Sequence, residues 1–314
     1  MRKVQKIGVN FGVRILSLIA SSTEIVYALN QGKHLIGRSH ECDYPVEVKK
    51  LPYCTKPRID IHGSSREIDK RVKSALKSAL SIYEVDEKKL KTLNPDIIIT
   101  QSQCEVCAVS LLDVEKAIGS LVENKPIIVS LEPNSIDDIW TDIEKVSDAI
   151  GVPLEGSALI KGMKNRIAQL QDLLKSQPAR SVACIEWIDP LMAAGNWVPE
   201  LVDLAGGVNI FGEKGKHSPW MTFNDLENEN PDYIIIMPCG YDIKKTKREM
   251  HFLMSKKNWK NLKAVKNQNV YLTDGNQYFN RPGPRIVDSL EILIEILYDL
   301  KYDFGHFGLG WERL

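Results

Sequence analysis

The sequence lacks an excess of charge of either sign, and it lacks a long uninterrupted apolar run. Lys and Arg total 41 in 314 residues, and Asp and Glu also total 41, so the formal net charge is zero. Without a basic excess, we do not expect the chain to bind nucleic acid. No apolar run approaches the roughly 18 residues of a membrane span, so none is predicted. The composition, 43% hydrophobic and 26% charged, is that of a globular protein.

A clear secretory signal is also lacking. Met1–Lys6 carries three positive charges and Val13–Ala20 is largely apolar, but Arg14 and Ser17 interrupt the apolar run. A signal needs about 7–15 uninterrupted apolar residues before a small-residue cleavage site. We therefore interpret Arg14–Ala20 as the first core strand and predict a cytoplasmic protein.

Cysteine is too sparse for a disulfide-stabilised scaffold. In a chain of this length without a signal, reduced thiols are expected. We predict that Cys54 and Cys184 lie in the core, Cys184 because it falls inside a strand pattern. The six cysteines are Cys42, Cys54, Cys104, Cys107, Cys184 and Cys239.

Short β-rich apolar runs alternate with helical patterns, which predicts βα units and mainly parallel sheets. The predicted strands are Arg14–Leu18, His34–Gly37, Ile97–Ile99, Pro126–Leu131, Ser181–Ile185, Tyr233–Met237 and Asn269–Thr273. The predicted helices are Thr23–Asn30 with a Ser/Thr cap, Ile68–Leu80, Val114–Leu121, Val198–Leu204, Ile243–Leu253 and Ile286–Leu297.

The middle of the chain, Ile136–Lys175, is helical in pattern with one break at Gly151–Pro153. Its second half would span about 33 Å at about 1.5 Å per residue. We therefore predict an α/β fold of two Rossmann-like lobes with mainly parallel sheets, joined by one long linker helix, with a ligand cleft between the lobes. The predicted organisation is an N-terminal lobe (13–133), a helical linker (134–178), a C-terminal lobe (179–303) and a tail (304–314).

A short internal repeat supports two related halves. Leu93–Ile99 reads LNPDIII, and Glu229–Ile235 reads ENPDYII. Each places Asn-Pro-Asp directly before a buried strand, and the pair lies on opposite sides of the linker. Coincidence is the alternative, since Asn-Pro-Asp is a common turn.

Aromatic, Gly, Pro and Cys residues concentrate in segments that follow the predicted strands. Ligands of open α/β sheets bind outside the carboxyl ends of the strands, and flat aromatic walls on a fixed backbone suit a flat, amphipathic ligand of medium size. Packing at the lobe edge is the alternative for Trp187, Trp197 and Phe279 taken singly. The candidate ligand-binding residues are Ser22, Thr23, His40, Glu41, Cys42, Arg58, Cys104, Cys107, Glu186, Trp187, Trp197, Cys239, Asn276, Phe279, Arg281 and Arg285.

Four of these residues form a candidate metal site for zinc or iron. Cys104-x-x-Cys107 alone is a weak motif, but His40 and Cys42 lie on a loop expected nearby, and together they offer three sulfur ligands and one nitrogen ligand. The set lacks a second tight Cys or His pair. Thiols that pack as small apolar groups, or that contact the ligand, are the alternatives.

Charged candidates point to an anionic group or to acid–base chemistry. Arg281 and Arg285 flank Pro-Gly-Pro and could grip a carboxylate or phosphate, with Arg58 as a further candidate. A salt bridge at the helix start is the alternative for Arg285. Glu41 and Glu186 could perform acid–base work. The sequence shows no nucleophile elbow and no phosphate loop.

Over residues 14–300 these motifs resemble the class III substrate-binding proteins of ABC uptake systems, the vitamin B12 and iron-siderophore type. The resemblance rests on the long connecting helix and on RILSL (Arg14–Leu18), STEIV (Ser22–Val26), LNPDII (Leu93–Ile98) and PELV (Pro199–Val202). A cobalamin-binding branch of the family is similar through SHECDYP (Ser39–Pro45), CEVCAVS (Cys104–Ser110) and RPGPR (Arg281–Arg285).

The resemblance implies a monomeric binder of a corrinoid (cobalamin-like) or related metal chelate, held in the interlobe cleft with small closure motions. It also implies an ABC permease as partner if the chain is exported, and a periplasmic or extracellular location as the alternative to the cytoplasm. Asp60–Gly63 departs from the corrinoid motif Asp-x-His-x-x-Gly, so ligation by His62 is not expected. A metal- or thiol-dependent enzyme that uses His40, Cys42, Cys104 and Cys107, and a cytosolic ligand sensor, are the alternatives.

Overall fold

The computed structural model describes residues 12–78, 81–103, 111–119, 125–175, 177–299 and 301–314. The chain divides into two compact units that interleave along the sequence. Unit 1 holds the chain through Ile61, together with Arg71–Glu132 and Asp138–Gly162. Unit 2 holds His62–Lys70, Pro133–Asp137 and Met163–Leu314.

Unit 1 is built on a four-stranded sheet in which every pairing is parallel, in the order β2-β1-β5-β6. A separate antiparallel pair joins β3 to β4. The strands are β1 (Ile15–Ser17), β2 (Leu35–Arg38), β3 (Thr55–Pro57), β4 (Tyr83–Val85), β5 (Ile97–Gln101) and β6 (Ile127–Leu131). The strands β1 and β5 are buried throughout, as expected of apolar runs in the centre of a parallel sheet.

The helices of the first half of the chain are α1 (Ala20–Ala28), α2 (Ser65–Lys77), α3 (Glu87–Leu93), α4 (Leu111–Gly119), α5 (Ile136–Ala149) and α6 (Pro153–Leu174). The expected Ser/Thr cap of the first helix is wrong. Helix α1 begins at Ala20, and its N-cap, Ile19, makes no side-chain capping bond. The Ser22 hydroxyl instead donates to the Ile19 carbonyl oxygen at 3.0 Å, inside the first turn.

The linker region has the predicted two-helix form. Gly151, with φ of 79°, separates α5 from α6, and Pro153 opens α6. A left-handed residue followed by proline ends one helix and permits the next to start. Helix α6 has 22 residues and is therefore about 33 Å long. The chain passes from unit 1 to unit 2 inside this helix.

Unit 2 contains a six-stranded sheet whose centre is parallel. Its strands are β7 (Arg180–Trp187), β8 (Met192–Ala193), β9 (Gly207–Asn209), β10 (Tyr233–Ile236), β11 (Val270–Thr273) and β12 (Trp311–Arg313). The order is β12-β11-β10-β7-β8, and β9 pairs with the first half of β7. Strands β8 and β12 are antiparallel to their neighbours. The predicted α/β class with mainly parallel sheets is confirmed.

The helices of the second half are α7 (Val198–Leu204), α8 (Phe223–Glu229), α9 (Ile243–Glu249), α10 (His251–Met254), α11 (Lys263–Lys266) and α12 (Ile286–Leu297). Helices α7 and α12 have the predicted bounds. The single helix predicted over Ile243–Leu253 is two helices, α9 and α10, which meet at Met250. Among the helices of the described ranges, none is long and apolar enough to cross a membrane.

The Asn-Pro-Asp repeat has the same structure in both units. Asn94 and Asn230 end α3 and α8 in the left-handed conformation, with φ of 46° and 43°. Asp96 then accepts a hydrogen bond from the Arg14 backbone N–H at 2.8 Å, beside β1. Asp232 accepts one from the Ser181 backbone N–H at 3.0 Å, in β7. Each aspartate thus joins the start of one parallel strand to the start of the next, which supports two related halves.

Two buried carboxylates of α12 hold the C-terminal tail against unit 2. Glu295 is fully buried and accepts from the Phe304 backbone N–H at 2.6 Å and from Trp311 Nε1 at 2.6 Å. Glu291 accepts from Arg166 Nε at 2.9 Å and lies 3.0 Å from His306 Nε2. The tail ends in β12, which pairs with β11.

Candidate ligand-binding site

The end of β1 and the first turns of α1 carry a network of buried hydroxyl groups in unit 1. Thr23 Oγ1 lies 2.7 Å from Ser17 Oγ and 3.0 Å from Cys42 Sγ, and Ser22 Oγ lies 2.6 Å from Ser17 Oγ. Ser22, Thr23 and Cys42 are all buried. The network ties the start of α1 and the loop after β2 to the end of β1.

His40 lies beside this network, and a hydrogen-bond chain determines its tautomer. Thr55 Oγ1 donates to Ser39 Oγ at 3.1 Å, so it accepts from His40 Nδ1 at 2.7 Å. Nε2 then carries a lone pair. This atom is buried and has no hydrogen-bond partner among the described residues, and the carboxylate oxygen of Glu41 is 4.0 Å away. Burial and the charge of Arg38 lower the pKa of His40 to about 4, so the imidazole is neutral at neutral pH.

The two charged candidates of unit 1 have partners near the surface. Tyr83 donates from its hydroxyl to Glu41 Oε1 at 3.1 Å, and its ring centroid lies 5.2 Å from that of His40. Arg58 Nε lies 3.5 Å from Glu84 Oε2. The Arg58 guanidinium is therefore partly neutralised, and Glu41 and His40 share one aromatic neighbour.

The four-residue metal site remains a prediction. Cys104 and Cys107 lie outside the described residues. Within the described part of the chain, no group of three or more His, Cys, Asp or Glu side chains is arranged to hold a metal ion. His40 Nε2 has the free lone pair of a metal ligand, whereas Cys42 Sγ is buried against Thr23.

Cys54 and Cys184 behave as core thiols. Burial raises the pKa of Cys54 to about 11 and that of Cys184 to about 12. Both thiols are therefore protonated at neutral pH, and protonated thiols are poor nucleophiles. Cys239, in the loop after β10, is only half-buried.

An aromatic pair occupies the carboxyl end of the unit 2 sheet. Glu186 and Trp187, expected in a loop, are the last two residues of β7. The Trp187 ring meets the Tyr241 ring edge to face, with centroids 5.3 Å apart. Trp187 Nε1 and the Tyr241 hydroxyl are buried, and within the described ranges neither has a hydrogen-bond partner. The Tyr241 position was not among the sequence candidates, although the loop after β10 that contains it was recognised.

Glu186 is held beneath this pair. Ser218 Oγ donates to Glu186 Oε2 at 2.8 Å. Burial raises the pKa of Glu186, and the hydrogen bond from Ser218 opposes that rise. The Glu186 carbonyl oxygen accepts from the Cys239 backbone N–H at 3.3 Å, which ties the end of β7 to the loop after β10.

The remaining candidates stabilise the loop that follows β11. Trp197 Nε1 donates to the Phe279 carbonyl oxygen at 2.8 Å, and both side chains are buried, as the packing alternative expects. Arg285 Nη2 donates to Gln277 Oε1 at 3.0 Å. Arg281 is buried, and the Asn276 backbone N–H donates to the Tyr241 carbonyl oxygen at 3.1 Å. Asn276 therefore lies next to the aromatic pair, whereas Trp197 and Phe279 support the loop from within.

Comparisons with known proteins agree with this architecture. Residues 15–277 match the periplasmic binding protein family. The ABC transporter substrate-binding lipoprotein YvrC of Bacillus subtilis is 23% identical over 293 residues, 91% of this chain and 80% of that protein. The vitamin B12-binding protein of Vibrio cholerae is 24% identical over 284 residues, 88% of this chain and 86% of that protein.

A solved structure shows the same fold. The periplasmic heme-binding protein RhuT from Roseiflexus sp. RS-1 superimposes with a TM-score of 0.67 at 21% identity, over 92% of this chain and 99% of that chain. The family match covers far more than half of the sequence and includes the parallel strands of both sheets. The chain therefore belongs to the periplasmic binding protein family.

Proposed function

We propose that this protein binds a corrinoid, or a related flat metal chelate, through loops at the carboxyl ends of its parallel strands. It would present that ligand to the permease of an ABC transporter, outside the cytoplasm. The named relatives support this proposal, because one binds vitamin B12, another binds heme, and a third is a lipoprotein of a transporter. Vitamin B12 and heme share a flat macrocycle around a metal ion.

One observation carries the proposal. In the described part of the chain, four buried side-chain polar atoms lack a hydrogen-bond partner, and three of them are His40 Nε2, Trp187 Nε1 and the Tyr241 hydroxyl. All three follow or end a strand at its carboxyl side, where α/β sheets bind ligands. An unpaired buried polar group costs about 1–3 kcal/mol. A ligand that pairs with these atoms would recover that cost.

Taken unit by unit, these atoms suit a metal chelate with polar substituents. Trp187 and Tyr241 supply two donors on flat rings, which can pack against a macrocycle and hydrogen-bond its amide or carboxylate oxygens. His40 Nε2 supplies a neutral imidazole nitrogen, the kind of group that coordinates cobalt or iron. Because the pKa of His40 is about 4, protonation does not compete with coordination at neutral pH.

The test is a titration of the purified protein with hydroxocobalamin and, separately, with hemin, followed by visible absorption. We expect saturable binding of the corrinoid and a shift of its visible bands that His40→Gln abolishes. Trp187→Phe and Tyr241→Phe should each raise Kd about tenfold, the equivalent of about 1.4 kcal/mol. Trp220→Phe is the matched control, since Trp220 is 55% exposed.

Two outcomes would contradict the proposal. Absence of saturable binding by either macrocycle would reject a flat metal chelate as the ligand. Binding that is equally tight in Trp187→Phe, Tyr241→Phe and Trp220→Phe would reject these loops as the site. Preference for hemin over the corrinoid would retain the chelate and change its identity.

A further inference from the structure

Helix α9 is unusually rich in positive charge. It reads IKKTKRE and carries Lys244, Lys245, Lys247 and Arg248 within seven residues. Lys247 Nζ lies 3.5 Å from Glu312 Oε2. Within the described ranges, no carboxylate forms an ion pair with Lys244, Lys245 or Arg248. Three cations on one short helix therefore form no ion pair within the part of the chain that the structure describes.

Two of these cations line a cleft in unit 2. The cleft has a volume of about 410 Å³ and is lined by His62, Gly63, Lys245, Arg248 and Glu249. Arg248 also lines a second cavity, of about 380 Å³, together with Lys244 and Lys247. The positive charge thus surrounds concave surface, where a small ion can be contacted from several sides.

The acidic residue of the cleft, Glu249, is hydrogen-bonded to Ser65. Glu249 Oε2 accepts from the Ser65 backbone N–H at 2.9 Å and from Ser65 Oγ at 2.8 Å. Its carboxylate is 9% exposed. Glu249 lowers the net positive charge of the cleft, but it leaves two cations facing one carboxylate that is already hydrogen-bonded.

Lys245 is the more constrained of the two cations. Its Nζ lies 3.7 Å from the centroid of the Tyr241 ring. Burial lowers the pKa of Lys245, the charges of Glu249 and Asp242 oppose this shift, and the charge of Arg248 adds to it. A half-buried ammonium group that faces another cation is stabilised when an anion binds between them.

Tyr241 connects this cleft to the proposed ligand-binding loops. One ring contact of Tyr241 is with Trp187 and another is with Lys245. A ligand whose flat part packs on the aromatic pair could therefore extend an anionic arm toward Lys245. Aromatic and cationic groups at this spacing suit an amphipathic ligand better than an uncharged one.

We infer that Lys245 and Arg248 form a subsite for an anionic group, a phosphate or a carboxylate, carried by the ligand that packs on Trp187 and Tyr241. The inference rests on the proposed function, because it assigns a charge to the same ligand. It adds that ligands with an anionic arm are preferred over otherwise identical ligands without one.

The first experiment compares two corrinoids that differ in the anionic group alone, cobinamide and cobinamide phosphate, by titration calorimetry at low salt. We expect the phosphate form to bind at least tenfold more tightly, and this preference to be lost in the Lys245→Met/Arg248→Met variant. Lys257→Met is the control for a general charge effect, because Lys257 is exposed and lies outside the cleft. Equal affinity of the wild type for both corrinoids, or a preference that survives in the double variant, would overturn the inference.

If neither corrinoid binds, the corrinoid is rejected as the ligand. A second experiment then tests the anion subsite by itself. Inorganic pyrophosphate and succinate are titrated alone into the wild type and the double variant. Saturable binding that the double variant loses, and that salt weakens, supports the subsite. The anion that binds more tightly distinguishes a phosphate from a carboxylate. Absence of binding by both anions would overturn the subsite.

Discussion

Replacing Tyr241 by Phe should stabilise the ligand-free protein. Tyr241 is 2% exposed, and its hydroxyl is a buried polar atom without a partner in the described structure. Burial raises the pKa of Tyr241, as expected of a hydroxyl removed from water. Removing one oxygen keeps the ring and its edge-to-face contact with Trp187, 5.3 Å away. Because an unpaired buried polar group costs about 1–3 kcal/mol, we expect a gain of about 1–2 kcal/mol in the free energy of unfolding.

The assay is urea unfolding followed by circular dichroism, with Tyr298→Phe as the matched comparison. The Tyr298 hydroxyl donates to the Ala205 carbonyl oxygen at 3.1 Å, so its removal should destabilise the protein by about 1 kcal/mol. The two substitutions remove the same hydroxyl group and should change the free energy of unfolding in opposite directions. If Tyr241→Phe destabilises the protein as much as Tyr298→Phe does, the Tyr241 hydroxyl has a partner in the free protein, and the reasoning that places a ligand there is wrong.

Two further predictions concern the C-terminal tail and the repeated turn. Burial lowers the pKa of His306, but its hydrogen bond to Glu291 and the charges of Glu295 and Asp288 outweigh burial and raise it above the ordinary value of 6.5. The contribution of His306 to stability is therefore complete below pH 6.5 and is lost as the pH rises through its folded-state pKa. We expect the urea midpoint of the wild type to fall as the pH is raised from below 6.5 to above that pKa, and the midpoint of His306→Gln to fall less. Asn94→Ala should lower the free energy of unfolding by about 1–2 kcal/mol in the same assay, and Asn94→Gly should lower it much less, because φ at this position is 46°. Equal losses in the two variants would show that the left-handed backbone is not the cause.

The order of strands and helices could be predicted from the sequence because apolar periodicity and turn residues determine both. The bounds of α7 and α12 were predicted correctly, since α7 has Pro199 in its first turn and ends before Gly206, whose φ is 74°. The start of α1 was not predicted correctly. Ser and Thr favour N-caps because their oxygens accept backbone hydrogen bonds, but here the Ser22 and Thr23 hydroxyls bond to Ser17 at the end of β1.

The candidate site could be predicted as a set of loops but not as a set of contacts. The pattern marks the residues that follow a strand, and so it found His40 and Trp187. Whether a polar atom in such a loop has a hydrogen-bond partner depends on side chains distant in sequence. Trp197 bonds to the Phe279 backbone, whereas Trp187 has no partner for Nε1, and nothing in the sequence separates these two tryptophans.

The interleaving of the two units has a consequence for any attempt to separate them. The chain changes unit after Ile61, Lys70, Glu132, Asp137 and Gly162. A cut after Glu132 would remove from unit 1 the segment Asp138–Gly162, which contains the fully buried Ile139 and Ile143. Neither half expressed alone would then possess a complete apolar core, and each would expose a surface prone to aggregation. Limited proteolysis in this region should yield fragments that stay associated, and halves made separately should become soluble when they are produced together.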